Sequence, residues 1–391
     1  MNIFRTLRQT LMEQLEMAGE LTDEEILEKI DELLIGGSET GYIPLKDKVQ
    51  LRRELFDSIR KLDVLQELID DPEVTEIMVN GYQTIFVEID GHTKKWEKQF
   101  TSKEKLDDVI QQIAGRCNRV INENKPIVDA RLENGARVNV VISPAALNGP
   151  ILTIRRFPDI PITMERLIEF GSITKEAAKF LEELVAAKYS IFIGGGTSAG
   201  KTTFLNALSN YIPKNERLIT IEDNAELQIQ DAPNLVRLEA KEANMEGNRE
   251  ISIRELIKTA LRMRPDRIII GEVRSEEAID LLQAWNTGHS GSLGTAHANS
   301  SGDMISRLET MVLMGMSLPL EAIRRQIASG IDIMVHLGHT DNGKRRVLEI
   351  VEVTGFTDGE VTISPLFTWD YQQKKLCQIN KLKNKQKLER G

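Results

Sequence analysis

The chain has 391 residues, with 60 acidic and 50 basic side chains and a formal net charge of −10. Hydrophobic content of 41% and charged content of 28% exclude wholesale disorder, and no stretch approaches the roughly 20 apolar residues that a bilayer span needs. Cys117 and Cys377 lie far apart, which excludes a disulfide framework and a four-cysteine zinc module and suits a reducing cytosol, while the acidic balance weighs against nucleic acid as the main partner.

The start, MNIFRTLRQTLMEQLEMAGE, turns acidic before any apolar core or small-residue cleavage site, so it is not read as a signal peptide. Residues 1–70 read as helical. Leu27, Ile30, Leu33 and Leu34 recur at helical spacing until Gly36-Gly37. Val49, Leu51, Leu55 and Ile59 mark a second helix over about 45–61, followed by a short apolar patch at 62–69. The front is acidic: residues 13–32 carry nine acidic side chains against Lys29 alone.

From Asp71 the period changes to two. Ile77 to Val79 ends at Asn80-Gly81, and Ile85, Val87 and Ile89 alternate up to Asp90-Gly91. After a helical stretch over 102–117, Val138, Val140 and Ile142 alternate behind Asn134-Gly135. Residues 71–155 are thus predicted to form one small N-terminal α/β domain. Pro158 and Pro161 make 156–165 a stiff linker.

Over 166–370 helix and buried strand alternate. Short apolar strands at 191–193, 218–221 and 268–270, separated by helical segments, imply a mostly parallel sheet with crossovers. Turns at Asp341-Asn342-Gly343 and Asp358-Gly359 predict antiparallel hairpins that close the domain. The fold class is α/β. Residues 374–390 hold seven basic side chains against Glu389. The segment 371–391 reads as a solvated basic tail, or more sharply as a contact for an anionic membrane face or an acidic partner.

The strongest chemical signal is Gly195-Gly196-Thr197-Ser198-Ala199-Gly200-Lys201-Thr202, which satisfies G-x-x-x-x-G-K-[ST]. It follows a predicted strand, and Thr203 onward can open a helix. Glycines let backbone N–H groups approach a phosphate, and the helix N-terminus adds partial positive charge. Lys201 is placed to meet the β- and γ-phosphates of ATP, and the Thr202 hydroxyl to join Mg²⁺. Such a loop needs carboxylates at neighbouring strand ends. Glu222-Asp223 follows one strand and Glu272 ends another; one would order Mg²⁺ and one would polarise the attacking water.

The segment 287–299 carries His289 and His297, eight residues apart. That spacing fits no helical or finger-type metal pattern. Its small and polar residues suit a loop touching phosphate, with His297 as γ-phosphate sensor. Arg262, Arg264, Arg267 and Arg274 surround the Glu272 strand, whereas Arg137, Arg155 and Arg156 lie beside the linker, where a two-domain motor would close on nucleotide. His336 and His339 read as structural or solvated, and Met304, Met311, Met314 and Met316 as core filler.

The ordered set VTEIMVNG (74–81), PIVDARLENGARVNVVISP (126–144), LTIRRF (152–157), GGGTSAGKTT (194–203), TIEDNAEL (220–227), the run 260–300 and SRLETMV (306–312) resembles the CpaF/TadA-type branch of the type II/type IV secretion ATPases. The resemblance spans roughly residues 45–370. It implies a cytoplasmic homo-hexameric motor lying at the inner face of the plasma membrane. In such motors a small α/β domain and a RecA-like domain hold ATP between them and drive a polytopic inner-membrane platform protein. It further implies that 195–202 is Walker A and 220–227 an Asp box with Glu222. By the same likeness 268–272 is an atypical Walker B ending in Glu272, and 287–299 a His box with His289 and His297. Arg137, Arg155 and Arg156 match positions where relatives present arginines to nucleotide. Ser275 stands where the family usually has glycine and Trp285 where it usually has methionine; neither is a presumed phosphate ligand.

Three other functions compete with a pilus-assembly or secretion motor: a conjugation-type secretion ATPase, a RecA-like nucleic-acid motor, and a nucleotide-gated assembly protein that barely turns over. The acidic body and the lack of a basic stripe with interleaved aromatics weigh against the nucleic-acid motor.

Overall fold

The computed structural model describes residues 3–18, 21–36, 43–89, 91–132, 134–156, 161–241, 250–340 and 343–389. Contacts divide the chain into two compact units, 1–159 and 160–391. Residues 157–160 of the expected linker, 156–165, lie outside the described residues.

The first unit opens with helices α1 (Ile3–Ala18), α2 (Asp23–Gly36) and α3 (Leu45–Arg60). They close on Leu7, Leu11, Ile26, Ile30, Leu34 and Leu55. The apolar patch at 62–69 becomes a short helix, α4 (Val64–Asp70). Strands β1 (Val74–Asn80), β2 (Ile85–Ile89) and β3 (His92–Lys95) follow, then helix α5 (Lys103–Arg116), then β4 (Ile127–Arg131), β5 (Arg137–Val141) and β6 (Ile151–Arg155). The six strands pair antiparallel throughout in the order β3-β2-β1-β6-β5-β4. The alternation read at 77–89 and 138–142 is the inward face of this sheet: Ile77, Val79, Ile85, Val87, Val138 and Val140 are all buried against α5 and α4.

The second unit begins with α6 (Met164–Glu169) and α7 (Lys175–Ala186). It continues through β7 (Ile191–Gly195), α8 (Lys201–Ser209), β8 (Leu218–Glu222), β9 (Leu235–Glu239), α9 (Ile253–Ala260), β10 (Arg267–Val273), α10 (Glu277–Asn286) and β11 (Leu293–His297). Helices α11 (Ser301–Gly315) and α12 (Leu320–Gly330) then lead to β12 (Ile333–His339), β13 (Arg345–Thr357), β14 (Glu360–Asp370) and β15 (Lys375–Gln378). All nine strands form one sheet, ordered β15-β14-β13-β12-β7-β11-β10-β8-β9. β12, β7, β11, β10, β8 and β9 run parallel, and β13 to β15 add antiparallel. The parallel strands are continuous apolar runs because helices cover both faces: Ile191, Ile193 and Ile269 belong to one core, Phe192, Ile268 and Ile270 to the other.

Two expectations change here. The segment 293–297, read as loop, is the strand β11 between β7 and β10. Its small residues serve packing: a Cβ on Gly294 would meet the Phe192 ring at 3.3 Å and Trp285 at 3.5 Å. The basic run at 374–390, read as a solvated tail, supplies β15 and then stays on the sheet. Leu376 and Leu382 are buried and Leu388 packs on the same core. The buried carboxylate of Glu352 accepts from the backbone N–H of Lys383 (2.9 Å) and Asn384 (2.7 Å), and Lys387 Nζ reaches Asp332 at 2.6 Å. The charge of the segment masked three leucines spaced six residues apart. The methionines also divide: Met304 and Met311 are core, whereas Met314 and Met316 are exposed.

Candidate nucleotide-binding site

Parallel strands present ligands at their C-terminal edge. On this sheet that edge gathers Gly195 of β7, His297 of β11, Glu272 of β10 and Glu222 of β8. Residues 196–200 turn from β7 into α8. Gly200 caps the helix at φ +92°, a left-handed conformation that glycine adopts without a Cβ clash. A Cβ on Gly195 would come within 2.7 Å of the Leu337 carbonyl, while one on Gly196 would meet nothing within 4 Å. Gly195 thus admits β12 against the loop, and Gly196 faces open space on the side where a phosphate would lie. Thr197, Ser198 and Ala199 complete the turn, and Thr202 and Thr203 occupy the first turn of α8.

Lys201 is buried, and its ammonium donates to the carbonyls of Gly195 (3.2 Å) and Gly196 (3.1 Å). It also lies 3.4 Å from His297 Nδ1 and 3.8 Å from Glu272 Oε1. Burial pushes its pKa down, opposed by the charge of Glu272. Burial, with Lys201 beside it, likewise holds His297 below its ordinary value, so the ring is neutral at physiological pH. A neutral ring accepting from the ammonium at Nδ1 carries its proton on Nε2, which lies 2.9 Å from Glu272 Oε1.

Glu222 Oε2 is buried at this edge with no hydrogen-bond partner among the described residues, and Glu272 Oε1 is met there by His297 Nε2 at 2.9 Å and Lys201 Nζ at 3.8 Å. Orphaned buried acceptors are costly, and they suit a site completed by a cation or a water. No group of three His, Cys, Asp or Glu side chains among the described residues could hold a metal. A Mg²⁺ at Thr202 and Glu272 would therefore draw its other ligands from phosphate and water, as such sites do. Glu222 is deeply buried, and its Oε1 accepts from the backbone N–H of Glu226 (2.9 Å) and Leu227 (2.8 Å). Desolvation still dominates and pushes its pKa up to about 7. A Cβ on Gly271 would come 2.9 Å from Glu222 Cγ, so glycine at 271 is what lets this carboxyl fit beneath β10.

The structure does not bring His289 to this edge. His289 precedes β11, whereas the loop at 196–200 follows β7, and these strands run parallel, which puts His289 at the opposite end of the sheet. There its ring contacts Ala284 O at 3.1 Å, and its carbonyl accepts from Ser292 Oγ. Arg267 also lies at that end, fully buried on Glu216 (2.6 and 3.0 Å). Sequence reasoning placed Arg274 only among the arginines around the Glu272 strand; the structure pairs it with Glu272 and Asp223. The available signal was its spacing: two residues beyond Glu272 on an extended chain, it projects to the same side.

In the first unit, Arg137 stands directly opposite Arg131 and Arg155 across β4, β5 and β6. Arg156 differs. Its backbone alternates to the other side of the strand, and its guanidinium donates to the carbonyls of Asp71 and Val74, tying the turn between α4 and β1.

The profile of the family described as "Type II/IV secretion system protein" matches residues 59–355. A Mycobacterium tuberculosis protein provisionally named for conjugal transfer is 33% identical over 304 residues, covering 76% of this chain and 86% of that one. The type IV secretion system protein VirB11 of Brucella suis is 33% identical over 318 residues, covering 74% and 88%. A solved structure of the pilus retraction motor PilT with bound ADP superposes with a TM-score of 0.54 at 20% identity, covering 84% of this chain and 86% of that one, a likeness of fold.

Proposed function

Because the chain belongs to the type II/IV secretion system protein family, we propose that it is a Mg²⁺-dependent ATPase of the CpaF/TadA-type branch. In this reading it is a cytoplasmic homo-hexameric motor at the inner face of the plasma membrane, driving a polytopic platform protein in pilus assembly or protein secretion. The observation that carries the reading is the meeting of Lys201, His297 and Glu272 within 4 Å of one another beside the 196–200 turn.

Residues 196–200 and the N-terminus of α8 offer backbone N–H groups to the phosphates of ATP. Lys201 exchanges the carbonyls it now holds for phosphate oxygens. Thr202 and Glu272 hold the hydrated Mg²⁺, which when bound supplies charge withdrawal from the transferring phosphate. Glu222, with a pKa near the working pH, takes the proton of the attacking water. His297 reports on the γ-phosphate through its contact with Lys201. Arg137 and Arg155 supply guanidinium charge to a nucleotide from the small domain, and the tie made by Arg156 removes it from that role. No described helix is long and apolar enough to cross a membrane, so this reading has the platform protein bring the motor to the bilayer.

A conjugation-type (type IV secretion) ATPase is the second reading, supported by one relative named for conjugal transfer and one for type IV secretion, each at 33% identity. The test is turnover by the purified protein with Mg²⁺ and membranes containing its platform protein. Hydrolysis that rises with the platform is expected. No hydrolysis by a hexamer under those conditions sinks the motor reading, and stimulation by DNA instead would point to a nucleic-acid motor.

A further inference from the structure

Arg274 occupies the carboxylate that the proposed cation needs. Its Nε and Nη2 lie 2.7 and 2.5 Å from the same oxygen, Glu272 Oε2. Its Nη1 lies 3.1 Å from Asp223 Oδ2, so one guanidinium joins the ends of β10 and β8. The other oxygen of Glu272 looks inward to Lys201 and His297, at 3.8 and 2.9 Å. Glu272 is thereby divided between an inner face turned to the 196–200 turn and an outer face neutralised by arginine.

The backbone and the side chain of Arg274 are held differently. The N–H groups of Arg274 and Ser275 donate to Glu277 Oε1 at 2.6 and 3.0 Å, and Glu277 is buried at the start of α10. The side chain is 56% exposed, and its guanidinium is held by charge-assisted contacts to Glu272 and Asp223. Arginine does not lose its proton, so the pairing competes with any cation at every pH where Glu272 is ionised. A guanidinium on one oxygen of a carboxylate and a cation on the other still repel each other across it.

We propose that Arg274 is a positioning residue that neutralises Glu272 before metal–nucleotide arrives and leaves it for Asp223 when a hydrated Mg²⁺ is held there. The pinned backbone lets the side chain move without disturbing β10. Asp223 keeps the guanidinium beside the phosphates after it has left. The inference rests on the reading of residues 196–202 as a Mg²⁺-nucleotide site, and its test separates the two.

The measurement is equilibrium binding of a fluorescent ADP analogue to the full-length protein, titrated with Mg²⁺ from a chelator-buffered zero, so that turnover is not the readout. In Arg274→Gln the Mg²⁺ concentration for half-maximal effect should fall about fivefold, the order of one partly screened ion pair. In Asp223→Asn, where the guanidinium has no second partner, it should rise. Arg274→Lys, which keeps the charge without the fork, should stay within about twofold of wild type. An unchanged or higher Mg²⁺ requirement in Arg274→Gln, with the melting curve intact, overturns the proposal and makes Arg274 a strut. Absence of nucleotide binding in the wild type would instead sink the nucleotide-site reading itself.

Discussion

Glu222 and Glu272 are both strand-end carboxylates, but their surroundings set different tasks. Glu272 is tied into a network of Lys201, His297 and Arg274, whereas Glu222 is buried beneath Gly271 with a pKa of about 7. Glu222→Gln is expected to lower kcat about 100-fold with nucleotide binding retained, as loss of a general base does. The wild-type rate should climb between pH 6 and 8 as this carboxyl ionises through about 7. Glu272→Gln should raise the Mg²⁺ requirement instead; equal, mild effects at both positions would refute the division. Stability carries the opposite sign. The folded carboxyl titrates above the unfolded value of about 4.5, so its favourable term is complete below that pH and is lost as pH rises through 7. Glu222→Gln should therefore raise Tm by about 3 °C at pH 8.5 and leave it unchanged at pH 4, as read by thermal melts.

Strands β14 and β15 and the segment after them convert a charged C-terminal run into part of the sheet. Deleting 374–391 would strip Glu352 of two backbone donors and uncover the core around Leu376 and Leu382. The expected cost is at least about 4 kcal/mol, visible as a lower denaturant midpoint. Leu382→Ala alone should cost about 2 kcal/mol, and an unchanged midpoint in both variants would mean that this segment does not hold the fold. The same region marks the limit of what the sequence discloses. Ile191 to Ile193, Leu218 to Ile221 and Ile268 to Ile270 announced buried strands because helices on both faces demand unbroken apolar runs. β11 did not, because it is built of small residues, and Gly294 is small to admit Phe192 and Trp285, a demand set by distant neighbours. His297, expected beside phosphate, ends β11 next to Lys201, whereas His289 lies at the other end because it precedes that strand. The pairing of Arg274 with Glu272 was legible in their two-residue spacing, whereas its reach to Asp223 depends on where β8 ends beside β10.

At the scale of the whole molecule, the proposed motor assigns Arg137 and Arg155, adjacent on β5 and β6, to a nucleotide. Arg137→Ala and Arg155→Ala are expected to lower the turnover of a hexamer at least about tenfold, with ring formation preserved by native mass spectrometry. Arg156→Ala should act on the melting temperature first, since its guanidinium holds the carbonyls of Asp71 and Val74. The net charge of −10 combines an acidic helical front with a basic C-terminal run docked on the sheet. That docking moves the search for a membrane or platform contact away from the C-terminus. The central claim, that residues 195–202 bind ATP for hydrolysis at the edge shared by Glu272 and His297, has one direct measurement: steady-state phosphate release with Mg²⁺-ATP by wild type and Lys201→Ala at matched oligomeric state. The account predicts turnover in the wild type and a loss of at least about 100-fold in the variant; equal rates in the two proteins would contradict it.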